Sequence, residues 1–264
     1  MSEDVKTQAD GPVGVITLAR PRARNALSLS VIESLRLSIA TLAGSGRTRA
    51  IVLAAEGPVF CAGHDLSEMQ ARRADPDGGR AFYERVFGDC SRLMTEIREI
   101  PQPVIAAVEG VATAAGCQLV AACDLAVASQ NARFAVPGVN IGLFCSTPGV
   151  ALARAMSPRH AMEMLLTGET ADAAFAWRAG LVNRITAPGE ALQEALALAG
   201  AVAEKSAEAI AFGKRAFYRQ AGADLAMAYA IATETMVENA LAADAREGFG
   251  AFLEKRPPAF ARSG

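Results

Sequence analysis

The sequence is poor in the residues that build metal centres and disulfide frameworks. Its 264 residues include only two histidines, His64 and His160, so a three-histidine metal site is excluded. The five cysteines are an odd number without a short repeated spacing, which favours neither a disulfide framework nor a zinc site. No metal is therefore expected.

The sequence also lacks an excess of charge of either sign. Lys and Arg total 26, Asp and Glu total 28, and the formal net charge is −2 at pH 7. A nucleic-acid-binding surface needs clustered basic residues, so we expect no nucleic acid as a partner. Hydrophobic residues make up 52% of the chain, which suffices for a full core and excludes a disordered protein.

A membrane-spanning segment is also missing from the sequence pattern. The longest stretch without a charged residue covers residues 134–153, but two prolines and three glycines interrupt it. A single spanning helix does not carry so many breaks, and we interpret this stretch as buried, irregular chain. The polar N-terminal ten residues resemble neither a signal peptide nor a transit peptide. The sequence predicts a cytoplasmic protein with no membrane partner.

Strand-like and helix-like patterns alternate in the first half of the chain. Short apolar runs predict strands at residues 13–18, 50–54, 103–108 and 124–128. Apolar residues at helical spacing predict a helix after residue 28, with Ser30 and Glu33 as its capping box and Gly44 at its end. Two of the strands lead through glycine-bearing turns into helices. Such units predict a largely parallel α/β core.

Helical patterns dominate beyond about residue 145. They predict helices at residues 148–156, 158–166, 172–179, 189–203, 207–220 and 224–253. The last of these carries an apolar stripe, so it must pack on its own core or on a neighbouring subunit.

The two glycine-bearing turns, at residues 61–65 and 110–116, are the chemically informative features. A strand–turn–helix junction directs free backbone N–H groups and the positive end of a helix towards one point. One such turn is an anion site of low specificity. Two converging turns would form an oxyanion hole for a carbonyl oxygen that gains negative charge. The sequence leaves open whether the turns converge.

Several motifs occur in the order and spacing of the crotonase (enoyl-CoA hydratase/isomerase) superfamily, which the chain resembles. They are RPRARNALS at residues 20–28, FCAGHDL at 60–66, PVIAAVEG at 103–110, AGCQL at 115–119 and Cys123-Asp124. The likeness continues through Thr167-Gly168, residues 176–182 and residues 252–256, so it covers almost the whole chain. Residues 114–120 and 137–149 are similar to one subgroup of the family.

The resemblance implies an α/β, crotonase-like spiral of ββα units with a helical C-terminal trimerisation region. Residues 1–196 would form the spiral core that binds acyl-CoA, and residues 197–264 the helical region used for oligomerisation. The protein would be a homotrimer or a dimer of trimers. Coenzyme A would enter as part of an acyl-CoA substrate, with no cofactor bound permanently.

The resemblance also assigns site residues by motif position. The oxyanion donors would be the backbone N–H groups of His64 and Ala115, where the second position usually holds glycine. The coenzyme would lie along Arg22, Ala23, Arg24, Ala26, Ala62, Asp65 and Leu66. The arginines suit a pyrophosphate partner, although solvated loop charges are the alternative interpretation.

The acid and base positions depart from the family pattern. The two glutamates of the hydratases correspond to Gln118 and Gly138, and the acid of related isomerases to Ser146. A positioned acid or base contributes about 10²–10⁴-fold and an oxyanion donor roughly 10²–10³-fold. Thioester binding and enolate stabilisation should therefore survive, whereas efficient hydration should not. Glutamates at both positions would restore hydration if the scaffold is otherwise competent.

Three functions remain open at this stage. The chain could slowly hydrate or isomerise a 2-enoyl-CoA, hold acyl-CoA as a catalytically deficient binding or regulatory protein, or act as a thioester hydrolase or decarboxylase. The His64 imidazole is either a base or a structural ring, and Cys145 either a nucleophile or a buried, inert thiol. By analogy with some naphthoate synthases of this fold, a bound anion beside Gly138 is a further alternative.

Overall fold

Within residues 4–260, which a computed structural model of the chain describes, ten strands form two sheets. The larger sheet contains β1 (Val5–Asp10), β2 (Val13–Leu18), β3 (Ala50–Ala55), β5 (Val104–Val108), β7 (Leu125–Ser129) and β10 (Arg184–Thr186), in the order β1-β2-β3-β5-β7-β10. Only β1 and β2 pair antiparallel in it, which confirms the predicted parallel core. Residues 1–3 of the polar N-terminal segment lie outside the described residues.

The smaller sheet contains β4 (Val59–Cys61), β6 (Val111–Thr113), β8 (Arg133–Ala135) and β9 (Ala171–Asp172), in that order. Three times the chain leaves the larger sheet, makes a short turn and enters the smaller one: from β3 to β4, from β5 to β6 and from β7 to β8. This repeat is the spiral of ββα units that the resemblance implies. The sequence analysis missed these strands because two or three residues are too few to show a two-residue period.

Helices follow the strand pairs and then take over the chain. They are α1 (Leu29–Gly44), α2 (Leu66–Ala71), α3 (Arg80–Glu99), α4 (Ala115–Ala122), α5 (Ser146–Ala155), α6 (Pro158–Thr167), α7 (Ala173–Ala179), α8 (Ala191–Ala203), α9 (Ala207–Gln220), α10 (Leu225–Leu241) and α11 (Ala243–Leu253). The predicted C-terminal helices match α5 to α9 within two residues at each end. Among the described helices, none is long and apolar enough to cross a membrane.

The prediction of one helix over residues 224–253 is wrong. The backbone becomes extended at Ala242 (φ −67°, ψ 158°), which separates α10 from α11. Just beyond this break, the buried Asp244 carboxylate accepts a hydrogen bond from the Ser206 hydroxyl at 2.6 Å. This contact fixes the start of α11 beside the start of α9, and apolar periodicity cannot reveal it.

The predicted capping box of α1 is also wrong. The N-cap is Ser28, whose hydroxyl accepts a hydrogen bond from the Val31 amide, while Ser30 already lies inside the helix. The predicted end at Gly44 is confirmed.

Both faces of the larger sheet are buried. On β3, Ile51 and Leu53 face the main core with α1 and α3, whereas Ala50 and Val52 face α8. Helix α8 approaches closely because it buries alanines, namely Ala191, Ala195 and Ala199. The proposed boundary at residue 196 falls inside this helix, and the functional division of the chain stays a proposal.

The stretch over residues 134–153 is irregular, as expected, but only partly buried. After β8 it forms a short 3-10 helix (Pro137–Ile141) and a loop before α5. Ile141, Leu143 and Phe144 have exposed fractions of 65%, 47% and 44%. The expectation that this chain is buried throughout is therefore wrong at the loop.

Candidate active site

The two glycine-bearing turns lie side by side. The prediction of one continuous turn over residues 110–116 is wrong, because residues 111–113 form β6 and only Ala114 separates β6 from α4. The turns that remain follow β4 and β6, which pair in parallel with Cys61 opposite Ala112, so both leave the same edge of the smaller sheet. Gly63 has φ +90°, and a Cβ atom on it would lie 2.8 Å from the Ala114 methyl group and 3.2 Å from the Ala115 amide nitrogen. Only glycine fits this approach. The turns therefore adjoin, which the sequence alone left open.

The amides of His64 and Ala115 donate no hydrogen bond within the described residues. The residues on either side of His64 are bonded to Leu27: the Gly63 carbonyl accepts from the Leu27 amide at 2.7 Å, and the Asp65 amide donates to the Leu27 carbonyl at 3.2 Å. Ala115 is the first residue of α4, where N–H groups have no intrahelical acceptor and the helix dipole is positive. Both amides are thus free to donate to an anionic oxygen.

Ala114, between β6 and α4, has a strained backbone. Its φ is +52° and its ψ −119°, a region that residues with a Cβ atom rarely occupy. Its amide donates to the Ala135 carbonyl at 2.9 Å, which holds the turn in place. The sequence shows no signal of this strain, because alanine is an ordinary residue in turns and helices.

The His64 side chain turns inward. Its ring packs edge-on against Phe87 of α3 with a centroid distance of 5.3 Å. Neither ring nitrogen has a hydrogen-bond partner in the described structure, and both are inaccessible to water. Burial lowers the pKa of the imidazole, and the nearby Leu27 carbonyl opposes that shift only in part. The ring is therefore neutral near pH 7.

Gln118 lies one helical turn after Ala115 on α4, with an exposed fraction of 3%. Its backbone N–H group donates the first hydrogen bond of the helix, to the Ala114 carbonyl. Its side-chain Oε1 atom has no hydrogen-bond partner within residues 4–260. The side chain at this glutamate position is thus a buried, unpaired carboxamide beside the second turn.

Gly138, at the other glutamate position, has no room for a side chain. A Cβ atom there would collide with the Leu143 carbonyl oxygen and would lie 2.8 Å from Cys145 Sγ. The same loop is closed by a hydrogen bond from the Leu143 amide to the Gly138 carbonyl at 2.9 Å. A glutamate at position 138 would therefore require this loop to move, and the prediction that glutamates at positions 118 and 138 restore hydration stays a prediction.

Ser146 begins α5 and is exposed, and its hydroxyl donates back to the Phe144 carbonyl at 3.4 Å. Cys145 is buried, with its pKa raised by burial and opposed in part by the Gly138 amide. Burial also raises the pKa of both Cys61 and Cys117 to about 12, consistent with packing residues.

The two segments predicted to seat the coenzyme are joined by the backbone. The Ala62 amide donates to the Arg24 carbonyl at 3.0 Å, beside the contacts of Leu27 with Gly63 and Asp65. Arg22 and Arg24 are exposed, Ala23 and Ala62 are half-buried, Ala26 is buried and Leu66 is 56% exposed. The segments thus meet, with the two arginines facing solvent.

Asp65 caps α2, since its carboxylate accepts hydrogen bonds from the Ser67 and Glu68 amides. It also forms an ion pair with Arg20 at 3.1 Å, which the sequence analysis missed. Asn25, likewise missed, is buried at φ +53° and donates to the carbonyls of Glu56 and Val59. Asparagine tolerates positive φ, so the Asn at the end of this polar turn was the sequence signal from which the conformation of residue 25 could have been predicted.

Asp124 accepts hydrogen bonds from three donors. They are the Val104 amide at 2.7 Å, Lys214 Nζ at 2.7 Å and the Tyr218 hydroxyl at 2.8 Å.

Residues 4–260 contain no group of three or more metal-ligating side chains. Two clefts, of 580 and 940 Å³, are lined by other residues than those of the predicted site.

Comparison with known proteins gives one consistent picture. The profile of a family described as Enoyl-CoA hydratase/isomerase matches residues 8–263. Enoyl-CoA hydratase domain-containing protein 3, mitochondrial, from Rattus norvegicus is 47% identical over 251 residues, which are 95% of this chain and 82% of that protein. A putative enoyl-CoA hydratase from Thermus thermophilus is 36% identical over 95% of this chain and 98% of its own.

Solved structures agree with the sequence relatives. The crystal structure of human enoyl coenzyme A hydratase domain-containing protein 3 superposes with a TM-score of 0.91 at 44% identity, covering 97% of this chain and all of that one. The crystal structure of an enoyl-CoA hydratase from Mycobacterium smegmatis gives a TM-score of 0.92 at 49% identity, covering 98% and 99%. The predicted fold and the predicted family resemblance are confirmed.

Proposed function

Because the chain belongs to the enoyl-CoA hydratase/isomerase family, we propose that it binds acyl-CoA thioesters and stabilises the enolate of the bound thioester. The observation that carries the proposal is the pair of adjoining turns, whose amides at His64 and Ala115 have no acceptor within the described residues. A thioester oxygen between these amides would accept two hydrogen bonds that strengthen as negative charge develops on it.

The proposed oxyanion hole acts on the transition state rather than on the substrate. Each preorganised donor contributes roughly 10²–10³-fold to the rate, because it is already oriented when charge develops. The N-terminus of α4 adds the positive end of the helix dipole at Ala115. Backbone donors of this kind need no particular side chain.

The reaction that we propose is isomerisation or slow hydration of a 2-enoyl-CoA. Gln118 can orient a water molecule, but its carboxamide is not a base at neutral pH. Gly138 supplies no side chain, and its surroundings leave no room for one. Turnover would therefore depend mainly on the two amides.

The coenzyme would lie along Arg22, Ala23, Arg24 and Ala26 and along Ala62, Asp65 and Leu66. The backbone contacts that join these segments support this assignment, as do the exposed arginines, which suit a pyrophosphate. Coenzyme A would arrive with the substrate, with no permanently bound cofactor.

We also propose a cytoplasmic location, in keeping with the five free, buried cysteines.

Subunit association is part of the proposal. No hydrophobic residue of α9 or α10 is fully buried within the described chain, while Phe217, Leu225, Tyr229 and Leu241 are each more than 60% exposed. Such a surface favours a homotrimer or a dimer of trimers formed through residues 197–264. Light scattering after gel filtration would show three or six subunits, and a monomer would contradict this assignment.

A second candidate is an acyl-CoA-binding or regulatory protein without turnover, or a thioester hydrolase or decarboxylase. The specific observation that favours these functions is the tight packing around Gly138, which excludes a second carboxylate at that position. In a hydrolase or decarboxylase the oxyanion hole would suffice with fewer acids.

The deciding experiment combines calorimetry with turnover. Purified protein is titrated with butyryl-CoA and incubated with crotonyl-CoA, longer 2-enoyl-CoAs and malonyl-CoA. We expect micromolar binding and turnover that a His64→Pro variant, which lacks the donor N–H, loses. Binding without any product would favour the second candidate, and absence of binding would contradict both.

A further inference from the structure

Unpaired polar atoms concentrate beside the two turns. Among residues 4–260, six buried side-chain nitrogen or oxygen atoms have no hydrogen-bond partner, and three of them belong to His64 and Gln118. Each such atom costs about 1–3 kcal/mol in a folded protein. Their concentration at one place indicates that these groups serve a ligand or a reaction rather than the fold.

The His64 imidazole has the surroundings of a neutral base. Its ring contacts Phe87, which stacks on Tyr83 with a centroid distance of 6.3 Å, and both aromatic residues are half-buried. No charged side chain of the described chain contributes to its pKa, which burial lowers. A neutral imidazole carries one basic nitrogen and one N–H group. The Leu27 carbonyl lies close enough to the ring to raise its pKa in part, but neither nitrogen has a partner with full hydrogen-bond geometry.

The other side chains near the first turn are not free bases. The Asp65 carboxylate caps α2 and pairs with Arg20, and a Glu68 carboxylate oxygen accepts a hydrogen bond from the Leu29 amide at 3.2 Å. Gln118 is not basic. Among these side chains, the His64 imidazole is therefore the one base without another role, and it belongs to the same residue as one of the proposed oxyanion donors.

We propose that His64 is the single catalytic base of this chain and removes a proton from C2 of a bound acyl-CoA. The inference rests on the proposed function, because the amides of His64 and Ala115 must hold the thioester oxygen beside the ring. The electron pair of the C2–H bond forms the C1–C2 double bond of the enolate, and the carbonyl π pair moves onto oxygen. The imidazolium then returns the proton to carbon.

A single base limits the reactions available. The proton can return to C2, which is exchange, or, for a 3-enoyl-CoA, it can be delivered to C4, which gives the 2-enoyl-CoA. Neither reaction needs a second acid, a water nucleophile or a co-reactant. The substrate class is therefore an acyl-CoA with an acidic C2–H bond, with 3-enoyl-CoA as the productive form.

For this chemistry the acyl chain must reach the ring, and the residues that cover the ring on that side belong to α3. Phe87 and Tyr83 form the wall of the ring on that helix, and the Tyr83 hydroxyl is tied to the Met69 carbonyl of α2 at 3.0 Å. An acyl chain that enters between the turns and α3 would displace this wall rather than the backbone amides.

The test is deuterium exchange at C2 of butyryl-CoA in D₂O, followed by mass spectrometry. The matched variants are His64→Gln, which keeps the backbone N–H, and His160→Gln, which removes the other histidine, a ring held by the Ser157 hydroxyl at 3.0 Å. We expect His64→Gln to lose about 10²–10⁴-fold in exchange rate and His160→Gln to match the parent protein. Calorimetry with butyryl-CoA should give similar affinities for all three.

A His64→Ala variant tests whether misfolding, rather than loss of the base, explains a loss of exchange. Free imidazole added to it should restore exchange, which a purely structural ring would not allow. Exchange that persists in His64→Gln would overturn the proposal while leaving the oxyanion hole intact. Binding without exchange by the parent protein would overturn it as well, and absence of binding would overturn the proposed function along with it.

Discussion

The carbonyl oxygen of Leu143 fills the space in which a side chain at Gly138 would begin. The Leu143 amide in turn donates to the Gly138 carbonyl, so the two residues hold each other in a closed loop. A position that in hydratases of the family carries a glutamate is here part of the packing. A side chain at position 138 would therefore require the Leu143 carbonyl to move.

Gly138→Ala should destabilise the protein. The added methyl group meets a backbone oxygen that cannot rotate away, and such overpacking lowers the free energy of unfolding by about 1–3 kcal/mol. Urea denaturation measures this. The control is Gly88→Ala, inside α3 with nothing within 4 Å of the added methyl group, which should be neutral or slightly stabilising.

The double variant Gln118→Glu, Gly138→Glu should gain no hydratase activity, and a gain would show that the loop can open.

Ala114→Gly should stabilise the protein. Glycine adopts φ +52° without the strain that alanine carries there, so we expect the free energy of unfolding to rise by about 1 kcal/mol. The matched control is Ala121→Gly, a buried residue in the last turn of α4, which should lower it by about 1 kcal/mol. Equal losses in both variants would mean that the conformation of Ala114 stores no strain. Differential scanning calorimetry gives both values.

Lys214→Met should be strongly destabilising. The Lys214 ammonium group donates to Asp124 and to the carbonyls of Ile97 and Gln102, and its side chain is only 6% exposed. Removing it leaves the Asp124 charge without its cation, which for buried pairs costs about 3–5 kcal/mol. The comparison is Lys6→Met, whose exposed pair with Glu56 should contribute about 1 kcal/mol or less. A Lys214→Met protein as stable as Lys6→Met would contradict this.

Stability should fall as the pH drops below about 6.5, in part because of His64. Burial lowers the pKa of this imidazole in the folded state, so between the unfolded and the folded pKa the unfolded chain binds more protons. The contribution of the neutral ring is fully present above the unfolded pKa and is lost as the pH falls towards the folded one. One such group contributes a slope of at most about 1.4 kcal/mol per pH unit.

The measurement is the free energy of unfolding of the parent protein and of His64→Gln between pH 7.5 and 5. The parent protein should lose more stability over this range, because the glutamine does not titrate. Parallel curves for the two proteins would show that the imidazole is not buried in the neutral form.

The sequence predicted many of the elements that have a period, but it missed α3, whose buried residues Val86, Cys90 and Leu93 recur at helical spacing. Apolar repeats located β3, β5 and the helices α5 to α9, whereas the short strands β4, β6 and β8 show no repeat. Family motifs placed His64 and Ala115 on two turns, and the structure brings those turns together through the parallel pairing of β4 with β6. That pairing joins residues about fifty positions apart, which no local pattern encodes.

The sequence also could not predict the surroundings of individual side chains. The sequence shows a histidine after Gly63, but the neutral state of its ring depends on burial beside Phe87 from α3, which the Leu27 carbonyl opposes only in part. Likewise, the glycine at position 138 is visible, but the oxygen of Leu143 beside it is not. These contacts arise from tertiary packing.

The two free amides belong to the main chain, and every amino acid except proline retains its N–H. Alanine scanning would therefore leave the amide at position 64 in place, and position 115 already holds alanine. A substitution scan reaches these two donors only with proline, and a sequence comparison that scores side chains alone does not register them.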